Sequence, residues 1–207
     1  MKSFVRMFVF VGVLGMFASP LFAEEVVTPK IDDKAASEKT VMMEKMKAMT
    51  SPGAAHKVLE PLAGKWTYAS KFWMSADGKP EESTGTSDQM MIFGGRFLKQ
   101  DVKGAMMGQP FEGIGYLGYD NIKGEYTMTW MDSMITGTMT MSGQFDAVTK
   151  TLHTTGANSC PMTGEKARAM RWDWAITDDA HNTFTGYMNG PDGKEFKGME
   201  IVYTKVQ

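Results

Sequence analysis

From residue 64 onward, apolar and polar side chains alternate along a series of short segments. Tyr126, Met128 and Trp130, for example, alternate with Thr127 and Thr129. A period of two is typical of a strand that buries one of its faces. Turn residues separate about nine or ten such segments, roughly 8 to 12 residues apart. This pattern predicts an all-β, antiparallel domain over residues 54–207.

The same region favours a closed barrel over a sandwich. Closure leaves no strand edge exposed, and glycines inside strands are typical of the sharp coiling at barrel corners. A short N-terminal helical segment would then pack over one mouth of the barrel. The glycines in question are Gly113, Gly115, Gly118, Gly137, Gly186 and Gly198.

The first residues have the features of a targeting segment. Lys2 and Arg6 precede an apolar run over residues 8–17, and Ala23 offers a small residue for processing. The run is too short to span a bilayer. We therefore expect a signal peptide over residues 1–23 and an exported protein, periplasmic or secreted, with no stable membrane insertion.

Residues 24–53 are predicted to be a polar tail followed by a methionine-rich helix. Residues 34–49 contain Ala, Glu, Lys and Met but no Gly or Pro, as expected of a helix. Ser51 and Pro52 suit the N-cap and first position of a second, short helix that ends near Leu59.

Charge and cysteine content exclude several classes of protein. The formal net charge is −2 and no basic run is present, so nucleic acid and anionic membranes are poor partners. The single cysteine, Cys160, excludes an internal disulfide. We interpret it as a tolerated loop thiol, with an intermolecular disulfide or a metal ligand as alternatives.

Several short phrases follow one another in a fixed order along the chain. They are His56, Leu59 and Leu62, then Gly64-Lys65-Trp66, Gly94-Gly95-Arg96-Phe97-Leu98, Phe111-Glu112-Gly113, Gly118-Tyr119-Asp120, Trp130-Met131-Asp132-Ser133, Met199-Glu200 and Tyr203. This order resembles the uncharacterised bacterial family catalogued as domain of unknown function 1579, over about residues 54–206. The resemblance implies a lipocalin-like, or calycin, β-barrel, but no substrate, cofactor or catalytic residue. The Gly-x-Trp opening also resembles lipocalins, which implies that Trp66 packs the closed end.

No residue pattern indicates catalysis or a cofactor. Residues 113–118 spell the dinucleotide-binding fingerprint, but another strand pattern follows where that motif requires a helix. His56, His153 and His181 have no metal-ligand spacing, and no nucleophile elbow is present. We therefore expect a protein that is not an enzyme and carries no cofactor.

A few charged residues at strand ends have two interpretations. Asp120 and Asp132 are interpreted as turn-capping carboxylates, although both could face a barrel mouth. Arg96 follows a Gly-Gly turn and could either hold a ligand carboxylate or brace one barrel end.

Methionine is unusually frequent, with 21 in the sequence. Thioethers suit soft metals such as copper and silver, and Met42, Met43, Met46 and Met49 form the candidate cluster for that function. Most strand methionines instead alternate with threonine, as expected of side chains that line a core or an adaptable pocket.

The leading hypothesis is therefore a binding protein for a small apolar or amphipathic molecule held inside the barrel. Soft-metal binding and a structural or partner-binding module of unknown protein partner are the alternatives. The predicted pocket residues are Trp66, Arg96, Tyr126, Met128, Trp130, Trp172 and Trp174, with Arg96 as the polar anchor.

Overall fold

The computed structural model describes residues 33–160, 163–190 and 192–207. The predicted signal peptide therefore lies outside the described residues, as does the start of the polar tail. Within this part of the chain, no helix is both long and apolar enough to cross a membrane.

Across the described residues, ten strands form a closed antiparallel barrel, which confirms the predicted fold. Each strand pairs with the next one in the chain, and β1 pairs with β10 to close the ring. The strands are β1 (Gly64–Phe72), β2 (Glu81–Ile92), β3 (Phe97–Met106), β4 (Gln109–Asp120), β5 (Glu125–Asp132), β6 (Met139–Asp146), β7 (Thr151–Asn158), β8 (Arg168–Ile176), β9 (His181–Asn189) and β10 (Glu195–Lys205).

Helices precede the barrel, as predicted. Helix α1 spans Asp33–Thr50, α2 spans Ala54–Lys57, and a 3₁₀ turn covers Glu60–Leu62. The chain divides into two units, residues 1–41 and residues 42–207, so that α1 begins in the first and ends in the second. Every residue of α1 is exposed, including its methionines.

Helix α2 is shorter than predicted and has a different cap. Gly53, not Ser51, is the N-cap, and its backbone is extended, with φ −130° and ψ −159°. The Gly53 N–H donates to Nδ1 of His56, with a separation of 3.1 Å. A histidine three residues into the helix therefore sets its start, a contact that the Ser-Pro pair does not indicate.

One end of the barrel is closed by the segment that links α2 to β1. Leu59, Leu62 and Trp66 are each only 1% exposed. The indole N–H of Trp66 donates to the Leu62 carbonyl at 2.9 Å, which fixes the 3₁₀ turn against the first strand. Trp66 therefore packs the closed end, as the family resemblance implied.

Some strand glycines are required because a bulky side chain lies against their inner face. A methyl group added to Gly113 would come within 2.3 Å of Cζ2 of Trp130. Methyl groups added to Gly85 and Gly104 would likewise come within 2.4 and 2.2 Å of the Tyr68 hydroxyl oxygen. The glycines that break the strand pattern therefore make room for large aromatic side chains inside the barrel.

Substituting Gly113→Ala tests this steric requirement. We expect the free energy of unfolding to fall by about 1–3 kcal/mol, because the indole of Trp130 must move out of its place. Urea denaturation followed by tryptophan fluorescence measures the change.

The matched control is Gly186→Ala, also in a strand. An added methyl there meets nothing closer than 3.4 Å, an ordinary contact distance. This variant should be neutral or up to about 1 kcal/mol more stable, because alanine restricts the unfolded chain. Equal losses in both variants would contradict the assignment of Gly113 to Trp130.

Candidate functional site

The half of the barrel away from the closed end contains a cavity of about 450 Å³. It opens at the end where β1, β3, β5 and β7 finish, which we call the mouth. A volume of this size falls in the range of pockets for small molecules. The barrel is therefore packed with side chains at one end and hollow at the other.

The cavity wall is mainly apolar and rich in methionine. Methionine is flexible and polarisable, so a wall of this composition adapts to ligands of different shape. Aromatic rings from six strands complete the wall: Tyr68, Phe72, Phe111, Trp130, Trp172, Phe184 and Tyr203. The methionines of the wall are Met106, Met107, Met128, Met134, Met139, Met170, Met188 and Met199.

Three of the predicted pocket residues, Met128, Trp130 and Trp172, line this cavity. The other four belong to the closed end and do not line it. Trp66 packs under the 3₁₀ turn, and the Tyr126 hydroxyl donates to the Ala55 carbonyl at 2.8 Å. The period of two identifies side chains that point inward, but not the end of the barrel at which they lie.

Trp174 illustrates the same limit. It alternates with Trp172 on one face of β8, yet it is 3% exposed and lies outside the cavity wall. Its indole N–H donates to Oδ1 of Asn182 at 2.7 Å, so its polar atom is already satisfied within the core. We therefore assign Trp174 to packing.

The prediction that Arg96 is the polar anchor of the pocket requires correction. Its guanidinium donates to the Thr50 carbonyl through Nε and Nη2, at 3.1 and 2.8 Å, and to the Phe93 carbonyl through Nη1 at 2.9 Å. Thr50 is the last residue of α1, where a cation is favourable. Arg96 therefore braces the closed end, the second of the two roles its sequence position allowed.

Asn121 holds the same helix end from a neighbouring turn. Its Nδ2 donates to the carbonyls of Met49 and Ser51, at 3.1 and 2.8 Å. Two turns of the barrel thus satisfy carbonyls that the end of α1 leaves without helical partners.

The predicted turn-capping roles of the two aspartates are confirmed. Oδ1 of Asp120 accepts the backbone N–H groups of Ile122 and Lys123, at 2.8 and 3.0 Å. These bonds lower the pKa of the Asp120 carboxyl below its ordinary value. Asp132 lies at the mouth, where it accepts the Trp130 indole N–H at 2.8 Å and the Met134 N–H at 2.9 Å.

Several polar residues of the cavity wall were not predicted, notably Gln100 and Arg168. Gln100 lines its inner part and donates through Nε2 to Ser87 and Tyr203, both at 3.3 Å. Burial raises the pKa of the Tyr203 hydroxyl, so this network is uncharged at physiological pH. The signal that indicates Gln100 is its position between Leu98 and Val102, on an otherwise apolar strand face.

Arg168 is the second missed residue, and it lies at the mouth. One Nη donates to the Asn189 carbonyl, and the other is 3.5 Å from Sγ of Cys160. Cys160 also lines the mouth of the cavity. Arg168 was missed because it begins a strand after a long loop. At such a position the alternating pattern does not show which side chains point inward.

The described residues contain no group of three or more His, Cys, Asp or Glu side chains that could hold a metal. The four methionines of the soft-metal alternative, Met42, Met43, Met46 and Met49, are between 44 and 71% exposed on α1. The dinucleotide-like motif at residues 113–118 lies inside β4, so it precedes no helix.

His56 is buried near the closed end, at 5% exposure. Removal from water lowers the pKa of its imidazole, while a hydrogen bond to the Tyr119 backbone opposes the shift. Because Nδ1 accepts from the Gly53 N–H, the neutral ring is the form that this contact requires. His56 is therefore a structural group.

Comparison with known proteins gives a family and a fold. The model of the family described as "Protein of unknown function (DUF1579)" matches residues 51–205. The crystal structure of Rv2717c from M. tuberculosis is similar at a TM-score of 0.58, with 16% sequence identity, over 76% of this chain and 100% of that one. At this identity the likeness supports the barrel fold alone.

A second solved structure, a redesigned β-barrel called b11L5F_LGL, has a TM-score of 0.38 and 13% identity. It covers 76% of this chain and 100% of its own, and the score is too low to support any conclusion. No curated protein matches the chain.

The buried histidine predicts a specific dependence of stability on pH. The neutral form of His56 is favoured in the fold, so its contribution is fully present above the unfolded pKa of about 6.5. It is lost as the pH falls through the lower folded pKa. Urea denaturation at pH 7 and pH 5 should show a smaller loss on acidification for His56→Gln than for the unchanged protein. Identical losses would contradict the burial of a neutral ring.

Arg96→Ala separates the bracing role from an anchoring role. We expect the unfolding free energy to fall by about 0.5–1.5 kcal/mol, because the carbonyls of Thr50 and Phe93 lose their donor. The affinity for an apolar fluorescent probe such as N-phenyl-1-naphthylamine should not change. A large loss of probe affinity with unchanged stability would contradict the bracing role and support Arg96 as a ligand anchor.

Proposed function

This chain belongs to the family described as "Protein of unknown function (DUF1579)", and we propose that its barrel binds a small apolar or amphipathic molecule. The observation that carries the proposal is the cavity of about 450 Å³, with its wall of methionine and aromatic side chains. Concave and mostly apolar cavities of this size are typical of sites for small organic molecules.

The distribution of packing inside the barrel also supports this proposal. Leu98, Leu117 and Trp174, on the closed half, are each at most 3% exposed, so that half is filled. Some residues of the cavity wall, such as Trp130 and Met139, are only partly buried. Apolar side chains left in contact with solvent around an open cavity favour an apolar ligand, because its binding removes that surface from water.

We also propose what the protein does with its ligand and where it does so. The protein would bind rather than transform its ligand, and it would do so outside the cytoplasm after removal of residues 1–23. A partner-binding module and a soft-metal protein centred on Met42, Met43, Met46 and Met49 are the competing functions. The cavity favours the ligand-binding function over both, because neither competitor needs a hollow barrel.

Filling the cavity with protein tests the proposal. Ile201 lines the cavity from β10, so Ile201→Trp should lower the affinity for N-phenyl-1-naphthylamine by about tenfold or more through steric exclusion. Probe fluorescence measured in a titration gives the affinity of each variant.

Val202 provides the matched control on the same strand. It points outward, is 43% exposed and does not line the cavity. Val202→Trp should therefore leave the probe affinity unchanged. If Ile201→Trp fails to fold, as judged by near-UV circular dichroism, Met199→Trp tests the same wall. A correctly folded, filled variant that binds the probe as well as the unchanged protein would contradict the proposal.

A further inference from the structure

The amide of Gln100 is satisfied on one side only. Gln100 is 4% exposed and lines the cavity from the middle of β3. Its Nε2 donates to the hydroxyls of Ser87 and Tyr203. Among the residues that the structure describes, no group donates to its Oε1. Gln100 lines the cavity, so an acceptor that has no partner in the protein is available there to a ligand group.

The surroundings of this oxygen give it room for a ligand. Oε1 lies beside the inner face of Gly115, where an added methyl would be 3.3 Å from it. The same methyl would be 3.0 Å from Cε3 of Trp130, an aromatic residue of the cavity wall. The absence of a side chain at Gly115 therefore leaves the space next to the acceptor open.

A second unsatisfied polar atom belongs to the same wall. The indole N–H of Trp172 is buried and has no hydrogen-bond partner in the described part of the chain. Trp172 also lines the cavity and is 4% exposed. The wall of the cavity thus includes an acceptor, Oε1 of Gln100, and a tryptophan whose buried N–H the protein leaves unused. A hydroxyl group supplies the donor that Oε1 lacks, since it donates one hydrogen bond and accepts others.

The charges of the cavity argue against an ionised head group at this depth. Within the described residues, the charged side chains of the wall are Asp132 and Arg168, and both lie at the mouth. Arg168 already donates to the Asn189 carbonyl, and Asp132 accepts from Trp130 and Met134. Among the described residues that line the cavity, Arg168 at the mouth is the one cation, so a carboxylate beside Gln100 would lack a partner in the wall. An unpaired buried charge is strongly unfavourable.

We propose that the ligand is an elongated apolar molecule that carries an uncharged hydroxyl, which donates to Oε1 of Gln100. This inference rests on the proposed ligand-binding function and names the chemical class of the ligand. The apolar part of the molecule lies along the methionine wall and extends towards the mouth.

Two isomers that differ in a single donor test the inference on the unchanged full chain. 1-Decanol and 1-methoxynonane have the same atoms, but the ether oxygen cannot donate. Displacement of N-phenyl-1-naphthylamine should show that decanol binds about tenfold more tightly, because the ether leaves Oε1 without a partner. Decanoate at pH 8, fully ionised, should bind more weakly than decanol.

A pair of glutamine variants assigns the preference to one residue. Gln100→Met keeps the length of the side chain and removes the acceptor, so both isomers should then bind about equally. Gln89→Met is the matched control, because Gln89 is also buried, at 2%, but does not line the cavity. This control should keep the preference for decanol.

The outcomes separate this inference from the function on which it rests. Equal affinity of the two isomers for the unchanged protein would overturn the hydroxyl assignment, while displacement of the probe would still support a ligand-binding barrel. Tightest binding of decanoate would also overturn it, in favour of a charged head group at Arg168. Failure of the probe and of every alkyl ligand to bind would remove the proposed function, and the inference with it.

Discussion

The pairing of β1 with β10 is the contact on which the rest of this structure depends. It runs from Trp66 opposite Lys205 to Phe72 opposite Met199, so the two outermost strands of the meander lose their free edges together. Ring closure forces alternate side chains of every strand into one shared interior. Once the ring is closed, the remaining question is how completely those side chains fill it.

The interior is filled unevenly, and this asymmetry is what gives the barrel its cavity. At the closed end, Trp66, Tyr126 and Trp174 each have their polar atom bonded within the protein and leave no space. Towards the mouth, methionine side chains and small residues do not fill the interior, and the cavity remains between them. The glycines of β4 contribute to both features, because Gly113 receives the Trp130 ring and Gly115 leaves the Gln100 amide uncovered. One end of the barrel is thus packed with side chains, and the other is hollow.

Much of this fold was predictable, because it follows from local patterns. Alternation around Tyr126, Met128 and Trp130 identifies the inward face of that strand without any information about distant segments of the chain. The site was predictable only in part, since depth along the barrel depends on the tilt and stagger of strands far apart in sequence. Trp172 and Trp174 have the same periodicity, but only Trp172 lines the cavity. The roles of Arg96 and Arg168 could not be predicted either. Each role is decided by loop contacts, and these contacts are made only in the folded chain.

We propose that the barrel holds a small organic molecule in its cavity. Native mass spectrometry of the protein purified from its own cell compartment tests it most directly, followed by denaturation and identification of anything released. We expect a neutral organic molecule that stays bound in the gas phase and is released on unfolding. A metal adduct in its place, or a bare protein that also fails to take up an added long-chain alcohol, would contradict it.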